Sequence, residues 1–285
     1  MTCSRLAFID FMSAARGLLT VFRTGWTSME TFEFIEFEES GPTATVWLNR
    51  PPANAVSQDM YVELKQFFDN VDKYLPDARV VVVAGRGKHF CGGNDLEEFK
   101  TLSPENSPAR MKQVREAFFS IRDSAKPTVA AVQGAAVGTG LCIAASCDLV
   151  VAAENARFSL PEVNVGVMGG AKHLSRLVPQ GMVRLMHLSG DMVPAADIYK
   201  FGGIVEVVPN DELMTRAQAL ADSLARHSPA ALRFAKLSMN TIEYMDLESG
   251  YEYEQSLTGE LSGYEDSKEA VNAFLERRTP HYTGR

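Results

Sequence analysis

The stretch "PTVAAVQGAAVGTGLCIAASCDLVVAA", Pro127 to Ala153, contains a complete structural unit. Its opening "TVAAV" is continuously apolar, the pattern of a strand buried on both faces. Gly134 marks a turn. "CDLVVAA" at the far end repeats the buried-strand pattern. Between them, Gly138-Thr139-Gly140 opens a run of small apolar residues that reads as a buried helix. Glycine is a poor helix starter, so three in seven residues (Gly134, Gly138, Gly140) point to a positional use. Strand, glycine turn, helix, strand in this order predicts a parallel βαβ arrangement.

The same grammar extends to both sides. "VVVVAGRGKHFCGGNDLEEFK", Val80 to Lys100, is another buried strand, a basic loop and a short helix over 94–100, followed by a longer helix over 107–124. Upstream, "FEFIEFEE" and "TATVWLN" alternate apolar and polar residues around Gly41-Pro42, which predicts a hairpin. Residues 57–74 carry Met60, Leu64, Phe67, Phe68 and Val71 at helical spacing, with Ser57 as N-cap. Beyond Pro161 the chain turns helical through "PQGMVRLMHLSG", "PAADIYKFG" and residues 211–274, with breaks expected at Ser228-Pro229 and at Gly250. The expected organisation is an N-terminal extension over 1–30, an α/β core over 31–225 and a C-terminal helical segment over 226–285.

The bulk properties exclude several classes. The 285 residues are 46% hydrophobic, with a formal net charge of −8, which argues against a nucleic-acid groove or an anionic membrane as main partner. No apolar run is long enough to span a bilayer. Cys3, Cys91, Cys142 and Cys147 show no CxxC pairing, which fits reduced thiols inside a cell, and the five histidines show no ligand spacing, so no metal site is expected. Residues 1–30 contain Arg5, Arg16 and Arg23 against the single acid Asp10 before Glu30. Three readings stay open there: an amphipathic mitochondrial presequence, an extension upstream of a start at Met29, or a helix packed on the body. The expected location is cytoplasmic, with the presequence as the alternative.

Two glycine turns share one design. Each ends a buried strand and presents backbone N–H groups at a helix start, one at Gly92-Gly93-Asn94-Asp95 and one at Gly138-Thr139-Gly140. Aimed at one point, the amides of Asn94 and Thr139 would stabilise a carbonyl oxygen that gains negative charge. Such turns also serve close packing alone, and spacing does not prove that they converge. Neither is a Walker loop nor a GxGxxG fingerprint. In "ARFSLPEVNVGVMGG", Glu162 follows Pro161 in an apolar setting, where desolvation raises a carboxyl pKa toward acid–base use; a merely structural glutamate is the other reading.

On "LNRPPANAVS", "GRGKHFCGGNDL", "KPTVAAVQGAAVGTGLCIAASCDLVVAAENARFSLPEVNVG" and the ending "AFLERRTPHYTGR", the chain from about Glu33 onward resembles the crotonase superfamily, also called the enoyl-CoA hydratase/isomerase family. The resemblance implies a spiral of ββα repeats with a C-terminal helical trimerisation segment, homotrimers or dimers of trimers, and acyl-CoA thioester substrates. Coenzyme A is then part of the substrate, and no separate cofactor is expected. It implies an oxyanion hole at the backbone N–H groups of Asn94 and Thr139, with Thr139 standing where relatives often carry the middle of a Gly-Gly-Gly run. Ala53 and Ala55 become backbone contacts for coenzyme A, and Arg86 and Lys88 candidates for attracting its phosphates. Of the two glutamates that hydratases of the family place around a water, the second matches Glu162, whereas the first falls on Cys142. The acid that some relatives carry eight residues after the second glutamate is Gly170 here. A single acid/base therefore points to isomerase or hydratase-lyase chemistry in preference to two-glutamate hydration. The alternative is a catalytically degenerate acyl-CoA-binding or assembly protein. The acyl group is expected between residues 99–119 and the C-terminal helices.

Overall fold

The structure is a computed structural model that describes residues 31–285, so the expectations for residues 1–30 lie outside the described residues. In chain order the strands are β1 (Ile35–Ser40), β2 (Thr43–Leu48), β3 (Val80–Gly85), β4 (Thr128–Val132), β5 (Ala135–Val137), β6 (Leu149–Ala153), β7 (Arg157–Ser159), β8 (Val193–Pro194) and β9 (Glu206–Val208). Six of them form one sheet in the order β1-β2-β3-β4-β6-β9. The β1–β2 hairpin is antiparallel, and every other pairing in this sheet is parallel, as the continuous valine and alanine runs require.

Strand alternation divides the interior into two cores. Val81, Val83, Ala130, Val132, Val150 and Ala152 face the larger one, while Val80, Val82, Ala84, Val129, Ala131, Val151 and Ala153 face the other. The large core is covered by α1 (Gln58–Asp69), its short continuation α2 (Val71–Tyr74) and, beyond the single turn α3 (Leu96–Phe99), by α4 (Ser107–Arg122) and α5 (Thr139–Ser146). The expected helix over 57–74 is therefore two pieces. It is capped as predicted by the Ser57 hydroxyl, which accepts from the Met60 N–H, and it is interrupted at Asn70, whose φ of −122° leaves the helical region.

The second sheet, in the order β5-β7-β8, escaped the sequence reading. Strands of two or three residues are too short to show a period, and Ala135–Val137 read only as part of a turn. Downstream lie α6 (Ala171–Leu174), α7 (Gln180–Ser189), α8 (Ala195–Tyr199), α9 (Leu213–Leu224), α10 (Pro229–Ile242), α11 (Leu247–Leu261) and α12 (Glu265–Glu276). The smaller core lies under α9.

Gly250 does not break the chain as expected; it sits inside α11. A Cβ there would lie 3.5 Å from the Ile242 Cβ, an ordinary van der Waals contact, so space alone does not require glycine at this position. The breaks fall at 243–246, where Asp246 caps α11 by accepting from the Ser249 N–H, and at 262–264. The helix α10 is anchored by a buried charge. Lys236 Nζ lies 2.8 Å from Asp148 Oδ2 and 3.2 Å from the carbonyl oxygens of Ile121 and Lys126. Among the described residues, no helix is long and apolar enough to cross a membrane.

Candidate active site

The site begins with one buried amide. Asn54 holds a left-handed φ of +52°, a conformation asparagine tolerates better than most residues. Its Oδ1 accepts from the Arg50 N–H at 3.0 Å, and its Nδ2 donates to the carbonyls of Arg86 and His89 at 2.9 Å each. The loop 49–57 is thus stitched to the loop 85–96. Arg50 adds a second stitch, donating to the Ala55 carbonyl and pairing with Asp95 at 2.6 Å, which holds the Asp95 carboxyl below its usual range.

This stitching sets which backbone groups around Asn94 pair with Val56. Val56 and Asn94 form a parallel bridge that uses the Gly93 carbonyl (Val56 N–H, 2.8 Å) and the Asp95 N–H (Val56 carbonyl, 3.0 Å). In a parallel bridge the central residue's own N–H and C=O face the other way. The Asn94 N–H and C=O therefore point away from Val56, and Asn94 lines a cavity.

The second turn meets the first. Cys91 bridges Ala136, with the Cys91 N–H donating to the Ala135 carbonyl at 3.0 Å and the Val137 N–H donating to the Cys91 carbonyl at 3.1 Å. A Cβ on Gly140 would lie 2.3 Å from the Cys91 carbonyl oxygen, so only glycine allows this approach. The two turns thus lie side by side in the fold. Thr139 is the first residue of α5, where a backbone N–H has no intrahelical acceptor. Its side chain turns away to a residue the sequence reading did not single out: Thr139 Oγ1 lies 2.7 Å from Tyr61 Oη, and Tyr61 Oη donates to Asn94 Oδ1 at 2.5 Å. The available signal was a tyrosine next to the buried stripe of an amphipathic helix, since a buried phenol needs a partner.

Glu162 lies in a 3₁₀ turn, Pro161–Val165. Its Oε2 is buried without a hydrogen-bond partner among the described residues, and burial raises its pKa above the ordinary carboxylate value. Its Oε1 would lie 2.9 Å from a Cβ on Gly138, whose φ of +52° combined with ψ of −112° is a conformation that favours glycine. Cys142 is only 3% exposed; burial pushes its thiol far up, and the neighbouring Glu162 charge adds to this, so it stays protonated. Gly170 has φ +78°, and a Cβ there would lie 2.5 Å from Leu160 Cδ2 and 3.0 Å from Cys142 Sγ. No side chain fits at position 170 without rearrangement.

Two adjoining cavities share Asn94, Phe99, Glu162 and Val167 in their walls. One, of about 450 Å³, extends past Ala55, Gly93 and Gly138. The other, of about 360 Å³, runs past Thr139 and Cys142 between Leu102, Met111, Val114 and Phe118 and the loop Gly166–Gly170. That loop supplies the wall expected from the C-terminal helices. Phe119 turns outward under Arg122. Ala53 does not line either cavity but accepts from the Gly92 N–H at 2.8 Å. Arg86 and Lys88 are exposed and outside both walls; Arg86 pairs with Glu36 at 2.7 Å and covers the Trp47 ring at 4.0 Å. Among the described residues, no three His, Cys, Asp or Glu side chains are grouped so as to hold a metal ion.

Residues 38–285 match the family model described as enoyl-CoA hydratase/isomerase. Among curated proteins, the chain is 36% identical over 245 residues to the 2,3-dehydroadipyl-CoA hydratase of Escherichia coli (strain K12), covering 84% of this chain and 94% of that one. It is 33% identical over 237 residues to a (7aS)-7a-methyl-1,5-dioxo-2,3,5,6,7,7a-hexahydro-1H-indene-carboxyl-CoA hydrolase of Rhodococcus jostii (strain RHA1), covering 83% and 92%. Among solved structures, Pseudomonas aeruginosa DspI superposes with a TM-score of 0.85 at 31% identity, covering 90% of this chain and 99% of that one. The α/β architecture expected from the sequence is the one these proteins share.

Proposed function

The chain belongs to the enoyl-CoA hydratase/isomerase family and is an acyl-CoA enzyme of that type, and we propose that it moves a proton on an enoyl thioester with Glu162 as its single acid/base. The thioester carbonyl lies between the backbone N–H groups of Asn94 and Thr139. Its oxygen becomes an enolate oxygen when Glu162 takes a proton from the α carbon. Glu162, whose carboxyl proton exchanges with solvent, then delivers a proton at the γ carbon, which moves the double bond and restores the carboxylate. One such amide is worth about 3 kcal/mol to the transition state.

The observation that carries this reading is the distribution of carboxylates. Glu162 is desolvated, partnerless at Oε2 and shared by both cavities, whereas Asp95 is committed to Arg50 and the position of the other, first glutamate is the protonated Cys142. A hydration that needs two carboxylates around one water lacks one of them, so isomerisation, or a hydratase-lyase variant, is favoured. The apolar wall of Leu102, Met111, Val114 and Phe118 supports an uncharged acyl group. The coenzyme A end passes the backbone at Ala53 and Ala55, with Arg86 and Lys88 near its phosphates. No resident cofactor enters this chemistry. Val271, Phe274 and Leu275 on α12 are 58%, 83% and 73% exposed, which supports burial between copies in a homotrimer or a dimer of trimers; sedimentation tests that assembly.

The test of the reaction is mass spectrometry of products from a panel of 2-enoyl, 3-enoyl and hydroxyacyl thioesters in heavy water. Deuterium uptake without the mass of a water supports isomerisation; net addition of water overturns it. Full activity of Glu162→Gln on every accepted thioester removes Glu162 from the mechanism.

A further inference from the structure

Tyr61 is fully buried, and its hydroxyl lies between the two turns that carry the site amides. The side-chain carbonyl of Asn94 can only accept, so the phenol proton goes to Asn94 Oδ1, and the phenol oxygen accepts the Thr139 hydroxyl proton. The result is a directed chain, Thr139 Oγ–H to Tyr61 Oη–H to Asn94 Oδ1, in which each bond polarises the next. We propose that Tyr61 is a positioning residue that ties Asn94 to Thr139 and thereby fixes the spacing and aim of their two backbone N–H groups. This rests on the reading of those amides as the oxyanion hole.

The backbone around the amides explains why a tether is needed. Asn94 follows Gly92 and Gly93, the latter at φ +109°, and Thr139 lies between Gly138 and Gly140. These glycines permit the close approach of the two turns, but they have no side chains to hold and many conformations open to them. Asp95 in the first turn is already held by Arg50, and Asn94 and Thr139 are the residues whose side chains reach from one turn toward the other; Tyr61 grips both. The tether also accounts for a threonine at position 139, because its hydroxyl is drawn to α1 and away from the thioester. The Tyr61 ring is itself held edge-on by Phe118 at 6.0 Å, a wall residue of the acyl cavity. A phenylalanine would fill the same space, so packing alone does not require the hydroxyl.

The test compares the unaltered protein with Tyr61→Phe, Thr139→Val and the double variant. The first readout is steady-state turnover. The second is the isotope-edited infrared band of bound butanoyl-CoA carrying ¹³C at the thioester carbonyl. The tether predicts a band shifted to lower frequency on binding to the unaltered protein, and broadened and moved back toward its free position in either single variant. It predicts a kcat about ten- to a hundredfold lower with KM nearly unchanged, since misaimed amides weaken the transition state more than binding. The double variant is no worse than either single one, because both break the same chain. If Tyr61→Phe does not fold, Thr139→Val carries the test from the other end. A shifted band and a full kcat retained in a folded variant overturn the tether while leaving the oxyanion hole intact. An unshifted band in the unaltered protein overturns the oxyanion hole, and the tether with it.

Discussion

The contact between Gly138 and Glu162 gives the sharpest perturbation of the site. An alanine Cβ at position 138 would lie 2.9 Å from Glu162 Oε1, about 0.5 Å inside ordinary contact, so the carboxylate must retreat by that amount. The backbone at φ +52°, ψ −112° also opposes any side chain, at a cost of about 1–3 kcal/mol. Gly138→Ala should therefore lower the thermal midpoint by several degrees, at about 2–4 °C per kcal/mol for a chain of this size. A displacement of 1 Å at a catalytic group costs up to about a hundredfold in rate, so half of that predicts a kcat roughly tenfold lower. Gly202→Ala is the control: its φ is +81°, but nothing lies within 4 Å of the added Cβ. It should show strain of similar order and no loss of kcat. Calorimetry and single-turnover kinetics on the best thioester of the panel measure both quantities. A Gly138→Ala variant with normal turnover, or a Gly202→Ala variant with an equal loss, refutes the claim that this glycine exists to admit Glu162.

Glu162→Gln should lower kcat by about 10²–10⁴-fold while acyl-CoA still binds, as measured by calorimetric titration. Burial raises the folded-state pKa of Glu162 above its unfolded value, so stability falls as pH rises from the ordinary carboxylate pKa through the raised one. The same variant should accordingly be more stable than the parent at neutral pH and not in acid; an equal difference at both pH values refutes the desolvation argument. In the parent, kcat/KM should decline on the acid side as Glu162 protonates. Cys142 should resist iodoacetamide at pH 8 in the folded protein, because burial keeps it a thiol; alkylation at the rate of a free cysteine contradicts that state. Lys236→Met leaves Asp148 without its cation in a nearly buried site, with side-chain exposures of 3% and 15%, and should cost about 3–5 kcal/mol in urea unfolding. Adding Asp148→Asn should recover part of that; no recovery means that Lys236 acts through packing alone.

The main sheet was legible because β3, β4 and β6 are five- or six-residue runs, almost wholly valine, alanine and leucine, separated by helices. The three-stranded sheet was not, since β5, β7 and β8 have too few residues to carry a period. Gly250 misled because a helix-internal glycine and a helix end look alike in sequence. At the site, residue types pointed to Asn94, Thr139 and Glu162, but their meeting depends on the Cys91–Ala136 bridge, a long-range pairing with no local signal. Tyr61 remained hidden for the same reason: its partners lie 33 and 78 positions away.

The Val56–Asn94 bridge has a consequence for how this loop can vary. Because the amide that faces away from Val56 is selected by its parity along a paired segment, its position is set by counting residues. Substitution at 94 by anything except proline keeps an N–H in place, whereas inserting or deleting one residue beside it puts a different amide there. A change of residue at 94 thus keeps the backbone N–H while losing the Tyr61 contact to the Asn94 side chain, whereas the segment between Val56's two hydrogen bonds must keep its length.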